Sequence, residues 1–547
     1  MNNDNGILLR LLTLLFGLWL TIGSAGAQEL PHVERRGQVT QLIVDGKPYL
    51  ALGGELHNSS GSSPEYMAPI WDRLARNHVG TVIGTASWEL VEPAEGQFDF
   101  AAVDDQIRQA RAHGIRMVLI WFGAYKNAES TYAPSWVRRD QARFPRAVRD
   151  PNAKLQGIAA FLRGGVALSA FNERLIEADA RAFAALMRHI RQVDKDRTVI
   201  LVQVENEVGL IGDSRDRSEL ANQAWSQQVP AELMSAIQAN RETLRPNLRD
   251  TWGRQGFPSS GTWAQVFGSD KAADEVFMAW GFGRYIERIA QAGAAQYRLP
   301  MYTNAWLGPQ AKSPEPGDYP SGGAVARMMD VWKVAAPSLA FLSPDIYIDD
   351  FAGTLADFHR PNNPIFVPEA KPVTGNLFVA LAQFSAIGFS PFGIEDVPDD
   401  GDLFKAYRVL KTMTPQIAQA QQEGRIRGFR SDSGSVGKLA LGGYEITVQG
   451  PRSTEGIFGE GTGAAAAEKA QGYGLVIQTG EEEFLVVARA VSLQFALPGA
   501  QIEIDSAQEG RFEKGQWIAG RTLNGDERHE LFPAKKLAVV RIRLLRR

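Results

Sequence analysis

The chain has 547 residues, 44% of them hydrophobic and 22% charged, with 58 Lys and Arg against 62 Asp and Glu. That is a globular composition long enough for more than one domain, and its net charge of −4 gives no pull toward nucleic acid or an anionic membrane. Cysteine is absent, which excludes disulfides, a thiolate nucleophile and a lipidated cysteine.

Residues 1–27 read as an export signal: Arg10 precedes an apolar run at 11–22, and Ala25-Gly26-Ala27 has the small-residue pattern of a cleavage site. The run is shorter than the roughly 20 residues that span a bilayer. The expectation is an exported protein, periplasmic or secreted, with no membrane association after cleavage. Residues 41–48 (QLIVDGKP) predict a hairpin turning at Asp45-Gly46 that plugs one end of the next domain.

From there strands and helices alternate for about 350 residues, the pattern of parallel βαβ units. Strands are expected at 49–53, 79–86, 115–122, 198–204, 299–304, 339–347, 364–368 and 388–394, and helices at 64–77, 98–112, 172–193 and 275–295. A polar and aromatic excursion at 213–262 is expected to lie over the site as a lid. Each strand ends in polar or aromatic residues. An α/β fold, a (β/α)8 barrel over 28–419, explains that bias because all eight C-terminal tips share one face. Beyond residue 420 the pattern changes to short β-type runs at 439–448, 473–479, 484–490 and 537–544, with an Asn524-Gly525 hairpin signal and an Ala/Gly-rich loop at 461–467. This predicts a second, β-sandwich-like domain over 420–547 without a catalytic constellation.

The fourth strand belongs to the stretch TVILVQVENEVG at 198–209, a continuous β-branched run as expected for a strand buried on both faces. It delivers Glu205 and Glu207 to its tip, and the seventh strand delivers Glu369. A glutamate on each of two tips is what glycoside hydrolysis by double displacement requires, one to attack the anomeric carbon and one to protonate the leaving oxygen. Period-2 geometry puts Glu205 on the same side as Glu207, where it is expected to be a structural carboxylate bonded to a neighbouring strand. Trp88, Trp121, Tyr125, Trp136, Trp306 and Tyr347 fall at or just past strand tips, where aromatic rings would stack on sugar C–H faces.

Other chemistries find no support. Gly281-Phe282-Gly283 lacks the third glycine of a dinucleotide fingerprint, the seven histidines have no metal-ligand spacing, and neither a GxSxG elbow nor a Walker sequence occurs. No metal and no cofactor is expected.

QVENEVG resembles the acid/base motif of the glycoside hydrolase family 35 β-galactosidases. The resemblance implies Glu207 as acid/base, Asn206 holding the sugar 2-hydroxyl, and Glu369 of FVPEAK as nucleophile. WFGAYKNAE is similar to that family's galactose-binding segment, which implies Tyr125, Ala128 and Glu129 against the sugar hydroxyls, and WELVEPAEGQFDF at 88–100 resembles its second-strand signature. The likeness covers roughly residues 40–410 and departs at Asn58, where the family carries a tyrosine. With its β-rich tail the chain looks most like a bacterial subgroup tied to plant-polysaccharide breakdown. What this implies is a retaining β-galactosidase removing terminal β-D-galactosyl residues from an oligosaccharide partner, such as the side chains of xyloglucan, with an oligomer permitted. Two alternatives stay open: another retaining clan A β-glycosidase acting on β-glucosides or β-mannosides, and a binding-only barrel, against which the retention of both glutamates argues.

Overall fold

The computed structural model describes residues 29–152, 165–432, 434–451 and 471–547. The expected leader at 1–27 and the loop at 461–467 lie outside the described residues. A three-stranded antiparallel sheet opens the chain, β1 (His32–Arg36), β2 (Val39–Val44) and β3 (Lys47–Tyr49). Asp45 and Gly46 both take left-handed φ, 52° and 73°, the two-residue turn that Asp-Gly favours. Leu42 and Val44 pack with Ile83, Val118, Phe122, Tyr302 and Phe366, so the hairpin seals one end of a barrel interior.

That barrel consists of β4 (Ala51–Glu55), β5 (Thr81–Ser87), β6 (Arg116–Lys126), β7 (Val199–Asn206), β8 (Met301–Trp306), β9 (Phe341–Ile346), β10 (Glu369–Ala370) and β11 (Gly388–Phe389). Neighbours in the order β10-β9-β8-β7-β6-β5-β4-β11 pair in parallel. The two ends of the row meet where Val367 bridges Phe389 and the Phe392 N–H donates to Ala370 O at 3.0 Å. The fold is the expected (β/α)8 barrel, and its weakest side is the seventh strand. Pro364 and Pro368 supply no N–H to a ladder, so residues 364–368 pair only at isolated points, such as Ile387 N–H to Ile365 O at 2.8 Å, and the laddered strand is two residues long.

The helices follow their sequence patterns. Glu173–Val193 starts where the Asn172 side chain accepts from Arg174 and Leu175 N–H, and it buries Leu175, Ala182, Leu186 and Ile190, the side chains at helical spacing. The excursion after β7 corrects the lid expectation. It folds into the short helices Glu219–Ser226, Ala231–Ala239 and Pro246–Gly253, followed by Trp263–Phe267. These pack on one another and on the outer helices Lys271–Ala294 and Met329–Ala335. Trp225 and Trp263 meet Phe277 there, so these rings are core, and the excursion thickens the helical ring instead of forming an irregular flap.

After the helices Asp402–Thr412 and Thr414–Gln422, the tail forms a six-stranded sheet in the order β12-β15-β16-β20-β18-β19 and a three-stranded sheet β13-β14-β17. These are β12 (Ile426–Ser431), β13 (Val436–Leu441), β14 (Tyr444–Gln449), β15 (Gly472–Gln478), β16 (Glu483–Arg489), β17 (Ser492–Ala496), β18 (Ile502–Glu513), β19 (Gln516–Leu523) and β20 (Ala538–Arg546). The run at 439–448 is a hairpin split by Gly442 and Gly443, with φ 58° and 86°. Asn524-Gly525 is not a hairpin turn: Asn524 lies at φ −149° and its side chain caps a 3-10 helix, Gly525–Glu530. The turn between β18 and β19 is Lys514-Gly515, φ 49° and 77°. Alternation divides the larger sheet between two cores. Tyr473, Leu475, Ile477, Leu485 and Val487 join the barrel's hydrophobic core, whereas Val476, Phe484, Val486, Val540 and Ile542 pack with Tyr444, Ile446 and Val448 of the smaller sheet.

Candidate active site

The tips of β6 and β7 lock together in strained backbone. Asn127, Ala128, Glu205 and Glu207 all hold left-handed φ, 52°, 59°, 61° and 46°, a concentration that side-chain-bearing residues tolerate only where surrounding bonds enforce it. Here the Asn127 N–H donates to Asn206 O at 3.2 Å, and the Ala128 N–H to Glu207 O at 3.1 Å. The ladder between the two strands is broken between Trp121 and Lys126. Into that irregularity the Glu205 carboxyl inserts, with Oε2 accepting from Gly123 N–H (3.2 Å) and Tyr125 N–H (2.8 Å) and Oε1 from Ala124 N–H (2.9 Å). Glu205 is thus bonded to the neighbouring strand as expected.

It does not share a side with Glu207. The left-handed turns interrupt period-2 alternation, and Glu205 meets Asp179 on the helix Glu173–Val193. Asp179 accepts from Trp121 Nε1 (2.7 Å), Ala124 N–H (3.1 Å) and Tyr285 OH (2.7 Å). Burial, then the charge of Asp179, raises the Glu205 carboxyl well above its ordinary range, so the pair shares one proton behind the strand tips.

Glu207 faces the mouth. Its N–H donates to Asn304 Oδ1 at 2.8 Å, and Asn304 Nδ2 donates to Asp345 Oδ2 at 2.6 Å, so the tips of β7, β8 and β9 are tied in one chain. Register continues the line, since Asp345 sits opposite Glu369 in the β9–β10 pair. Glu369 Oε1 accepts from Tyr347 OH at 2.5 Å, and Oε2 is buried without a partner. Burial, then the charge of Glu369, pushes the Glu207 carboxyl up to about 7, against an opposing pull from Lys126 and a carboxyl hydrogen bond with Asp345. Asp345 is held well above its ordinary range by burial, then by Glu369, Glu207 and Glu55. Lys126 Nζ donates to Asn206 Oδ1 at 3.1 Å and to Asn127 Oδ1 at 2.7 Å, which leaves Asn206 Nδ2 buried and unpartnered. Two buried glutamates, one of them raised toward neutral pH, with a free amide donor and a tyrosine on the other carboxyl suffice for acid/base and nucleophilic chemistry.

The other expected site residues divide. Tyr347 is in place, but as a donor to Glu369. Ala128 contributes its backbone to Glu207 while its side chain packs with Ile211 and Trp306. Glu129 stands at the edge beside Gly165, where any side chain would collide with its carboxyl, and its charge acts on Arg149. Trp121 and Tyr125 point the other way. Trp121 is bonded to Asp179 and packs on Phe183. Tyr125 OH donates to Leu168 O at 3.0 Å and its ring lies between Phe282 and Tyr285. Both serve the barrel's outer packing, because alternation along β6 turns them toward the helices. Trp88 and Trp136 are likewise a packed pair, both donating to Glu92. Asp345, Asn304, Lys126 and Glu55 were not singled out by sequence, although each lies within the last three residues of its strand.

Comparison with known proteins gives similarity to the same enzyme class. The family model of glycoside hydrolase family 42, described as β-galactosidase, matches residues 65–255. A domain of unknown function, DUF5597, matches residues 403–534. A β-galactosidase of Xanthomonas manihotis is 28% identical over 213 residues, 37% of this chain and 30% of that protein. Among solved structures, a β-galactosidase from Rahnella sp. R3 has 15% identity and a TM-score of 0.43, over 68% of this chain and 57% of that one. One from Marinomonas ef1 has 12% identity and a TM-score of 0.42, over 68% and 61%. The chain spans less than a third of the curated relative's length and under two thirds of these structures'. The sequence match over residues 65–255 is to β-galactosidases of family 42, which suggests that family in place of the family 35 likeness drawn from the motifs.

Proposed function

We propose that this protein is a retaining β-galactosidase, with Glu369 as nucleophile and Glu207 as acid/base. The observation that carries the reading is the pair itself: two buried glutamates on the tips of β7 and β10, of which Glu207 is raised to about 7 by burial and by the charge of Glu369. In that state one carboxyl is a proton donor near neutral pH while the other attacks. Glu369 opens the glycosidic bond at the anomeric carbon as Glu207 protonates the leaving oxygen. Glu207, now ionised, then takes a proton from water, which cleaves the glycosyl–enzyme ester and frees Glu369. Asn206 Nδ2, with its oxygen fixed by Lys126, is the donor for the 2-hydroxyl, whose hydrogen bond strengthens in the transition state.

Two crevices flank loop 57–58, one of about 440 Å³ bordered by Asn58, Glu89 and Tyr132 and one of about 520 Å³ bordered by His57, Thr374 and Phe392. Galactose on a plant-polysaccharide side chain as the removed unit is supported by the motif likeness to polysaccharide-degrading β-galactosidases, and action after export by the N-terminal segment. A panel of aryl β-galactoside, β-glucoside and β-mannoside, with NMR of the first-formed anomer, tests the reading. Galactoside should be hydrolysed fastest and give the β-anomer first; an α-anomer product excludes double displacement, and preference for another sugar replaces galactose.

A further inference from the structure

The mouth holds one carboxyl more than a double displacement needs. Glu55 ends β4, fixed there by pairing with Ile83 of β5 and by a bridge to Phe392 beyond β11. Its side chain is 1% exposed. The groups that face it are Glu369 first, then Lys126, Glu207 and Glu395, with Tyr302 and Asp345 also within reach of its charge. Glu55 therefore points inward, to the centre of the ring of tips. Its Oε1 is buried with no hydrogen-bond partner, a rare condition for a carboxyl oxygen.

Other buried atoms around it are unpartnered in the same way: Asn206 Nδ2, Glu369 Oε2, Asp345 Oδ1, Tyr302 OH and Glu395 Oε2. The proposed reaction reserves the first two for the sugar. The carboxyl pair behind the tips looks different: Glu205 and Asp179 each accept from three donors, the Ala124 N–H being shared between them. We infer that Glu55 is a sugar-contacting specificity residue, its carboxyl hydrogen-bonding a ring hydroxyl of the glycosyl unit that Glu369 attacks and so selecting which sugar is accepted. The inference deepens the glycosidase reading and rests on it. Burial, then the charge of Glu369, holds the Glu55 carboxyl well above its ordinary range. A carboxyl oxygen accepts from a sugar hydroxyl, and its protonated form also donates to one.

The test is a cycle between the side chain and the hydroxyl. Wild type, Glu55→Gln and Glu55→Ala in the full chain are assayed on an aryl β-galactoside and on its 2-, 3-, 4- and 6-deoxy analogues. Removing the partner hydroxyl should lower wild-type kcat/KM by about 10- to 100-fold, Glu55→Ala should lose a similar factor on the parent, and the two losses should not multiply. Equal deoxy penalties in wild type and variant, at every position, overturn the proposal. If Glu55→Ala does not fold, the near-isosteric Glu55→Gln carries the cycle, and the same additivity overturns it. If the wild type prefers another glycoside, the cycle is run on that sugar's deoxy series, so loss of the galactose assignment is distinguished from loss of this one. A wild type that cleaves no glycoside removes both.

Discussion

Glu205 and Glu207 stand two residues apart on one strand and live in opposite surroundings. Behind the strand tips, Glu205 and Asp179 are enclosed by three backbone N–H groups, an indole and a tyrosine hydroxyl, so that pair has no hydrogen-bonding need left. In front, Glu207, Glu369 and Glu55 share a mouth in which Lys126 is the facing cation and several polar atoms are unpartnered. Burial raises carboxyls on both sides, so a shifted titration does not distinguish them. Satisfaction does: a carboxyl whose donors are all supplied by the fold holds the fold, and one left short of donors waits for a ligand.

The largest expected break in that comparison is Glu369→Ala, which removes the attacking oxygen. Turnover should fall by about 10⁴-fold or more, with no recovery on a dinitrophenyl galactoside, since a better leaving group does not replace the nucleophile. Substantial activity on the activated substrate would assign the attack elsewhere.

Glu207→Ala should lose about 10²- to 10⁴-fold on a natural galactoside and far less on the activated one, with azide restoring rate and yielding the β-galactosyl azide. Its titration also has a thermodynamic side. With a folded value of about 7 against an ordinary 4.5, the carboxyl is protonated in both states at pH 4, but between the two values it ionises only when unfolded. Its stability contribution is therefore present at low pH and lost as pH rises to 7. Melting curves should show Glu207→Gln more stable than wild type at pH 8 and level with it at pH 4. The alkaline limb of kcat/KM should fall near the same pH.

On the satisfied side, effects should appear in stability instead of chemistry. Asp179→Ala strands two buried donors, Trp121 Nε1 and Tyr285 OH, and should cost about 2 kcal/mol or more in denaturant unfolding. Glu205→Gln replaces a protonated acid by a near-isostere that still donates to Asp179, so turnover should stay within about tenfold of wild type. A collapse as deep as that of Glu207→Gln would exchange the two residues' roles. Smallest of all, Tyr125→Phe removes one bond to Leu168 O, should cost about 1 kcal/mol and should leave KM unchanged; a raised KM would return Tyr125 to the sugar.

The barrel was legible in the sequence because each parallel strand is a short apolar run with a polar end, and the counting that placed Glu207 and Glu369 depends only on those ends. Side-chain direction was not. Trp121, Tyr125 and Glu205 were assigned by nearness to a tip, whereas alternation along β6 and left-handed backbone at residues 205 and 207 turn them to the helix side. Lys126 and Asp345 escaped notice because a lone charge in a strand-end sequence has no motif; their meaning appears only when tips distant in sequence are brought into one ring. The lid expectation failed because a polar, aromatic stretch also suits short helices packed on a helical ring, where Phe277 supplies Trp225 with a buried partner.

The six-stranded tail sheet, buried on both faces along β15 and β16, has a consequence for how the molecule comes apart. Its strand β12 lies on the helix Thr374–Gln383, which follows Glu369, and the approach is so close that a side chain at Gly428 would sit 2.2 Å from Phe378 O. The sheet's strands β12 and β15 are a wall of the catalytic half. The two halves are therefore expected to melt in a single calorimetric transition, and a chain cut before β12, which bares the helix after the seventh barrel strand, is expected to lose activity first at the nucleophile's own seat.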